Sequence, residues 1–192
     1  MSNTFTRLPP QAVDLIKRWE GFSPVWYRDG GGVRTIGYGT TALSRAINPH
    51  QIDPPITRDE GETLLLRSIR QEYAACVREN VTAPLTDLQY GALVSLCYNI
   101  GCGAFSDSTL VLLLNAGQEE EAEKEFLEWK YVNGNVVDGL LQRRKAERAL
   151  FEHDEDTAFS IDPVEVKVYG AERLSTPSLD TLLDRIDTDG QQ

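Results

Sequence analysis

Apolar residues recur at helical spacing from the start of the chain. Val13, Ile16 and Trp19, with Leu15 beside them, predict a first helix, and Pro10 suits its opening turn. Gly21 ends that helix and leaves Glu20 at its C-terminal end. Residues 22–28 and 33–38 are rich in aromatic and β-branched types, with Asp29-Gly30-Gly31-Gly32 between them. That pattern predicts a β-hairpin. A third short strand or loop fits residues 40–53, where Pro49, Pro54 and Pro55 mark the limit of regular structure. Thr57-Arg58-Asp59-Glu60 is a capping-box signature. Leu65, Ile69, Tyr73 and Cys76 or Val77 follow at helical spacing, so residues 58–79 read as one long helix linking the hairpin to the rest.

The second half is helical in pattern. Thr86-Asp87-Leu88-Gln89 is another capping box, and Ala92, Leu93, Leu96, Cys97 and Ile100 follow it to a stop at Gly101-Cys102-Gly103. This is the most apolar helix and the expected centre of a larger lobe. Ser106 or Asp107 would cap a short helix holding Leu110, Leu113 and Leu114. Residues 118–130 predict an acidic helix with Ala122, Phe126 and Trp129 turned inward, and Glu119-Glu120-Glu121 as a solvated face. Asn133-Gly134-Asn135 reads as a turn, and residues 138–152 as the last helix of the domain. The fold class is therefore α+β, mainly α. The domain spans residues 1–152, and 153–192 are an acidic C-terminal extension of unassigned role, with a short apolar stretch at 164–169.

Charge sharpens this division. The net charge is −11, and ten acidic against three basic side chains lie from Asp154 onward. An acidic surface argues against nucleic acid as a partner, since phosphate binding needs basic groups. No run of about 18 apolar residues predicts a membrane span, and residues 1–10 lack the apolar core of a secretory signal. Cys76 and Cys97 fall on apolar helical stripes and read as buried free thiols. Cys97-x4-Cys102 without a nearby histidine is a poor zinc signature, and His50 and His153 stand alone, so neither metal nor cofactor is expected.

The candidate chemistry lies around the hairpin. Glu20, Asp29 and Thr35 form a Glu-x8-Asp-x5-Thr pattern, with one carboxyl at a helix end and another on the turn. Paired carboxyl groups are the material of glycoside hydrolysis, in which one protonates the leaving oxygen and the other activates water or attacks the sugar. An arbitrary Glu-Gly is ordinarily a solvated helix end. Here, however, the helix dipole disfavours a carboxylate at position 20, which suits a proton donor.

The flanking segments carry a resemblance. Leu15-Ile16-Lys17-Arg18-Trp19-Glu20-Gly21, Thr35-Ile36-Gly37-Tyr38-Gly39-Thr40-Thr41 and Pro84 to Ser95 resemble the phage-type lysozymes, glycoside hydrolase family 24. So do Tyr98-Asn99-Ile100-Gly101, Phe105 to Leu110 and Gly139 to Arg148, in order over residues 8–152. Many relatives have Phe at the position of Trp19 and His at that of Thr40. The resemblance implies a lysozyme-like two-lobe fold with a small β-hairpin lobe, a long linking helix and a larger helical lobe. It also implies a phage endolysin, a muramidase that cleaves the β-1,4 bond between N-acetylmuramic acid and N-acetylglucosamine.

Roles follow by position. Glu20 would be the general acid, Asp29 would position water or stabilise the oxocarbenium charge, and Thr35 would hold that water. Gly39 would let the glycan approach the backbone closely, while Tyr98 and Ser108 would touch sugar from the larger lobe. Tyr98 is equally placed to be a core aromatic. Arg143 or Arg144, with Arg143 preferred, would reach Glu20, the alternative being a helix-surface arginine paired with Glu147. The implied partner is the peptidoglycan strand, bound by a monomer. The implied location is the host cytoplasm until a separate membrane lesion admits the enzyme to the wall. Competing readings are a lytic transglycosylase, which Asp29 and Thr35 disfavour, and a non-catalytic wall-binding or virion protein on the same fold.

Overall fold

The computed structural model describes residues 8–163. Helix α1 (Pro10–Glu20) buries Ala12, Val13, Leu15 and Ile16 and ends where Gly21 N–H donates to the Lys17 carbonyl. Strands β1 (Ser23–Arg28), β2 (Arg34–Gly37) and β3 (Thr40–Thr41) form an antiparallel sheet in that order. Tyr27 is the cross-strand partner of Thr35, which sets both on one face of the hairpin. The short third strand is thus present, and a single 3₁₀ turn at Pro49–Gln51 is the other regular piece of the loop.

The linking element is α2 (Arg58–Ser68), a π-helical turn (Ile69–Tyr73) and α3 (Ala74–Asn80) in unbroken succession. The predicted single helix is there, with a widened turn that period-3.6 reasoning does not register. Near that turn Ser68 bonds Ser44, and Glu72 accepts from the Ser44 hydroxyl and, at 3.1 Å, from Ala46 N–H. These bonds tie the loop after β3 to the link. The capping box at Thr57 and Glu60 forms as predicted.

Helix α4 (Asp87–Ile100) is the centre of the larger lobe, buried continuously from Gln89 to Tyr98 and capped by Thr86 with Gln89. It packs on α1 and on α8 (Asp138–Phe151). A Cβ at Gly91 would lie 2.7 Å from Pro9 Cγ and 2.9 Å from Ala12 Cβ, so glycine is what lets α1 approach. Around this stack lie α5 (Cys102–Ser106), α6 (Thr109–Asn115) and α7 (Glu119–Glu125), the last followed by a 3₁₀ turn at Phe126–Glu128. Strands β4 (Tyr131–Val132) and β5 (Asn135–Val136) flank the predicted turn at Asn133-Gly134. Helix α9 (Glu155–Ser160) packs on α8, with Ala158 buried, and Arg18 binds Asp162 at 2.7 Å. The described part of the acidic extension thus lies against the larger lobe. The apolar stretch at 164–169 lies outside the described residues. Among the described residues no helix is long and apolar enough to cross a membrane.

Two local expectations are corrected. Cys76 is not a free thiol: it is disulfide-bonded to Cys102, and Cys97 alone is free and buried. The chain restarts a helix directly after Gly101, and α5 carries Cys102 back against α3. The same restart displaces the next cap. Helix α5 runs through Ser106, so α6 is capped by Ser108, not by Ser106 or Asp107.

Candidate active site

Helix α1 delivers Glu20 to the junction of the lobes, with its side chain 20% exposed. Arg143, from α8, donates to Glu20 Oε1 at 2.7 Å. Of the two candidate arginines, Arg143 is therefore the one bonded to Glu20, and it also meets Glu147 at 3.1 Å. Burial alone would lower the Arg143 guanidinium, but the charges of Glu20 and then Glu147 outweigh it and leave it raised. Arg144 is pushed down to about 10 by burial, which Glu147 opposes and Arg143 reinforces. Its hydrogen bonds go to Glu147 and Asn99. Glu147 is completely buried and also accepts from Ser95 at 2.8 Å. The ion pair to Glu20 is thus the outer end of a buried network spanning α1, α4 and α8.

The far side of the site is built by the hairpin turn. Asp29 Oδ1 accepts from the N–H groups of Gly31 and Val33, each at 2.9 Å. Asp29 Oδ2 accepts from the Thr35 hydroxyl at 3.3 Å, and that hydroxyl also lies 3.1 Å from the Val33 carbonyl. The glycines close the turn so that the carboxylate folds back over its own strand. Thr35 is 2% exposed, and its hydroxyl lies between two acceptors, the Asp29 carboxylate and the Val33 carbonyl.

Tyr27 sits between the two carboxyl groups electrostatically. Burial first, then the charges of Glu20 and Asp29, push its phenol up to about 12. Sequence reasoning did not single it out. The signal was its place two residues before Asp29 on an alternating strand, which sets it on the side of Thr35.

The other expected contacts are placed as follows. Gly39 has φ +83°, and a Cβ there would fall 2.8 Å from Glu20 Oε2. The close approach it permits is to the carboxyl group itself. Tyr98 is 9% exposed, donates to the Tyr38 carbonyl at 2.8 Å and packs edge-on against Tyr73. Ser108 is 7% exposed; its hydroxyl accepts from Val111 N–H and donates to the Phe105 carbonyl at 2.7 Å. It lines a concavity of about 440 Å³ with Asp107, Thr109, Glu125, Glu128 and Trp129. Thr40 is buried beside Tyr98.

A carboxyl at a helix end and a hydroxyl-braced carboxylate on a hairpin turn both act on Tyr27, and paired carboxyl groups are the material of glycoside hydrolysis. The family model described as phage lysozyme matches residues 17–147. The endolysin of Acyrthosiphon pisum secondary endosymbiont phage 1 is 40% identical over 142 residues, covering 72% of this chain and 92% of that protein. The endolysin of Salmonella phage P22 is 38% identical over 145 residues, covering 76% of this chain and 97% of that one. Among solved structures, an endolysin from Escherichia coli O157:H7 phage FAHEc1 superposes with a TM-score of 0.66 at 32% identity, covering 78% of this chain and 95% of its own. The chain belongs to the phage lysozyme family. It is a glycoside hydrolase of the lysozyme class, an endolysin whose substrate is peptidoglycan.

Proposed function

We propose that Glu20, Asp29 and Thr35 perform a single-displacement hydrolysis of the β-1,4 bond between N-acetylmuramic acid and N-acetylglucosamine. Glu20 gives its proton to the leaving oxygen as the bond to the anomeric carbon breaks. Asp29 and Thr35 hold a water on the opposite face of the sugar, and Asp29 takes its proton as the new C–O bond forms. Attack from that face inverts the anomeric centre. The carrying observation is the Thr35 to Asp29 hydrogen bond of 3.3 Å, which pairs a hydroxyl with a carboxylate where a water needs two anchors. Arg143 orients Glu20 by holding Oε1, which leaves Oε2, the oxygen nearest Gly39, to carry the proton. Gly39, Tyr98 and Ser108 border the glycan path. The enzyme acts as a monomer, stays in the host cytoplasm until lysis, and reaches the wall through a membrane lesion made by another protein.

The test is digestion of purified peptidoglycan with wild type and Glu20→Gln, with the new ends identified by mass spectrometry. Reducing muramic ends made by wild type alone, with glycan binding kept in the variant, are expected. Anhydro-muramic ends would move the protein to the transglycosylases and leave Asp29 without its assigned part. No cleavage of any wall type would favour a binding protein.

A further inference from the structure

Away from the carboxylates, α3, α4 and α5 bring all three cysteines of the chain together. The sulfurs of Cys76, Cys97 and Cys102 lie within 4.8 Å of one another. Two of them form the disulfide and the third is a buried thiol on the next helix. The glycosidase chemistry uses none of the three. We propose that reduction of the Cys76–Cys102 disulfide converts this cluster into a three-thiolate site for one soft, closed-shell metal cation.

The geometry fits such an ion. A zinc–sulfur bond is about 2.3 Å, so sulfurs sharing one ion lie about 4 Å apart. The Cys97 sulfur already lies within 4.8 Å of the other two, reduction frees the bonded pair to separate to that spacing, and each cysteine comes from a different helical element. An all-sulfur donor set selects thiophilic cations over calcium or magnesium. Cys76 and Cys97 are 2% and 0% exposed, whereas Cys102 is exposed, which gives the ion an entrance and two dry ligands. A second contact supports the ligand role. The Asn80 amide reaches Cys76 Sγ at 3.6 Å while bonding the Cys76 carbonyl at 2.8 Å, the kind of outer donor that steadies a coordinating sulfur. Burial pushes the Cys97 thiol up to about 12, so a metal must displace its proton.

The chemistry balances in two steps. A phosphine reductant and water give two electrons to the disulfide, leaving thiols on Cys76 and Cys102 and a phosphine oxide. A divalent cation then binds three thiolates and releases three protons.

The test uses the full chain, oxygen-free, and Cd²⁺ as the probe. The expected result is one Cd²⁺ per reduced chain, with a thiolate-to-cadmium absorption band, three protons released, and no band from the oxidised protein. Cys97→Ala and Cys102→Ser should each weaken binding at least tenfold. Equal binding by Cys97→Ala and wild type overturns the proposal, as does a band that ignores the redox state. If reduction alone loosens the fold, Cd²⁺ should restore the native near-ultraviolet circular dichroism, because an ion bound to the folded site stabilises it. Failure to restore it also overturns the proposal.

Discussion

At the scale of single residues, the site depends on close approach and on which atoms are already committed. Gly39 leaves room for the Glu20 carboxyl and holds φ +83°. Gly39→Ala is expected to cost about 1–3 kcal/mol of stability and to lower turnover roughly 10–100-fold. Denaturant unfolding beside initial rates on peptidoglycan checks both, and wild-type rates would refute the tight-site account. Cys97 supplies a pH effect of known sign. Its folded pKa of about 12 lies above the ordinary value of 9.0, so the folded state keeps a proton that the unfolded chain loses. Stability from this group is therefore full below about 9 and is lost as pH rises toward 12, at up to about 1.4 kcal/mol per pH unit. With the disulfide intact, the stability gap between wild type and Cys97→Ala should shift in favour of the variant above that pH. A gap that stays constant would mean the thiol does not titrate late. The candidates Glu20, Asp29 and Thr35 were legible at this scale from their spacing and flanks, and the structure brings Thr35 to Asp29. Both partners weighed for Arg143, Glu20 and Glu147, are bonded to it, whereas the partners of Tyr98 and Ser108 were not legible, because they depend on which way each helix turns its face.

At the scale of elements, periodicity and caps located the main helices well. Both capping boxes form where Thr57 and Thr86 predicted them, and the hairpin strands match to within a residue or two. What escaped were features defined by departures from period: the π turn at Ile69–Tyr73, the immediate restart of α5 after Gly101, and the small β4–β5 pair. The restart has a thermodynamic consequence, because it allows Cys102 to reach Cys76. Closing a loop with a sequence separation of 26 should add on the order of 3 kcal/mol by restricting the unfolded chain. Guanidinium unfolding with and without reductant should show that difference, and Cys102→Ser should show the loss with no response to reductant. An unchanged midpoint on reduction would count against a structural role for the bond.

At the scale of the whole molecule, an enzyme of net charge −11 acts on an anionic wall. Repulsion between the two falls with salt, since the screening length shortens to about 10 Å at 0.1 M. Activity on intact walls should therefore rise from very low salt to about that concentration, while activity on short soluble glycans should not. A monotonic fall on intact walls from the lowest salt tested would show that other forces govern approach. The chain by itself determined the class of reaction and the order of the main helices and the hairpin, and it offered Glu20, Asp29 and Thr35 as the candidate pattern. Those follow from local rules: spacing, caps, turn residues and the chemistry of carboxyl groups. The tertiary structure alone decided that Arg143 serves Glu20 and Glu147 together, that Ser108 caps a helix, and that three cysteines distant in sequence cluster. Each of these depends on how separate helices are rotated and packed against one another, and no local pattern in the chain encodes that rotation.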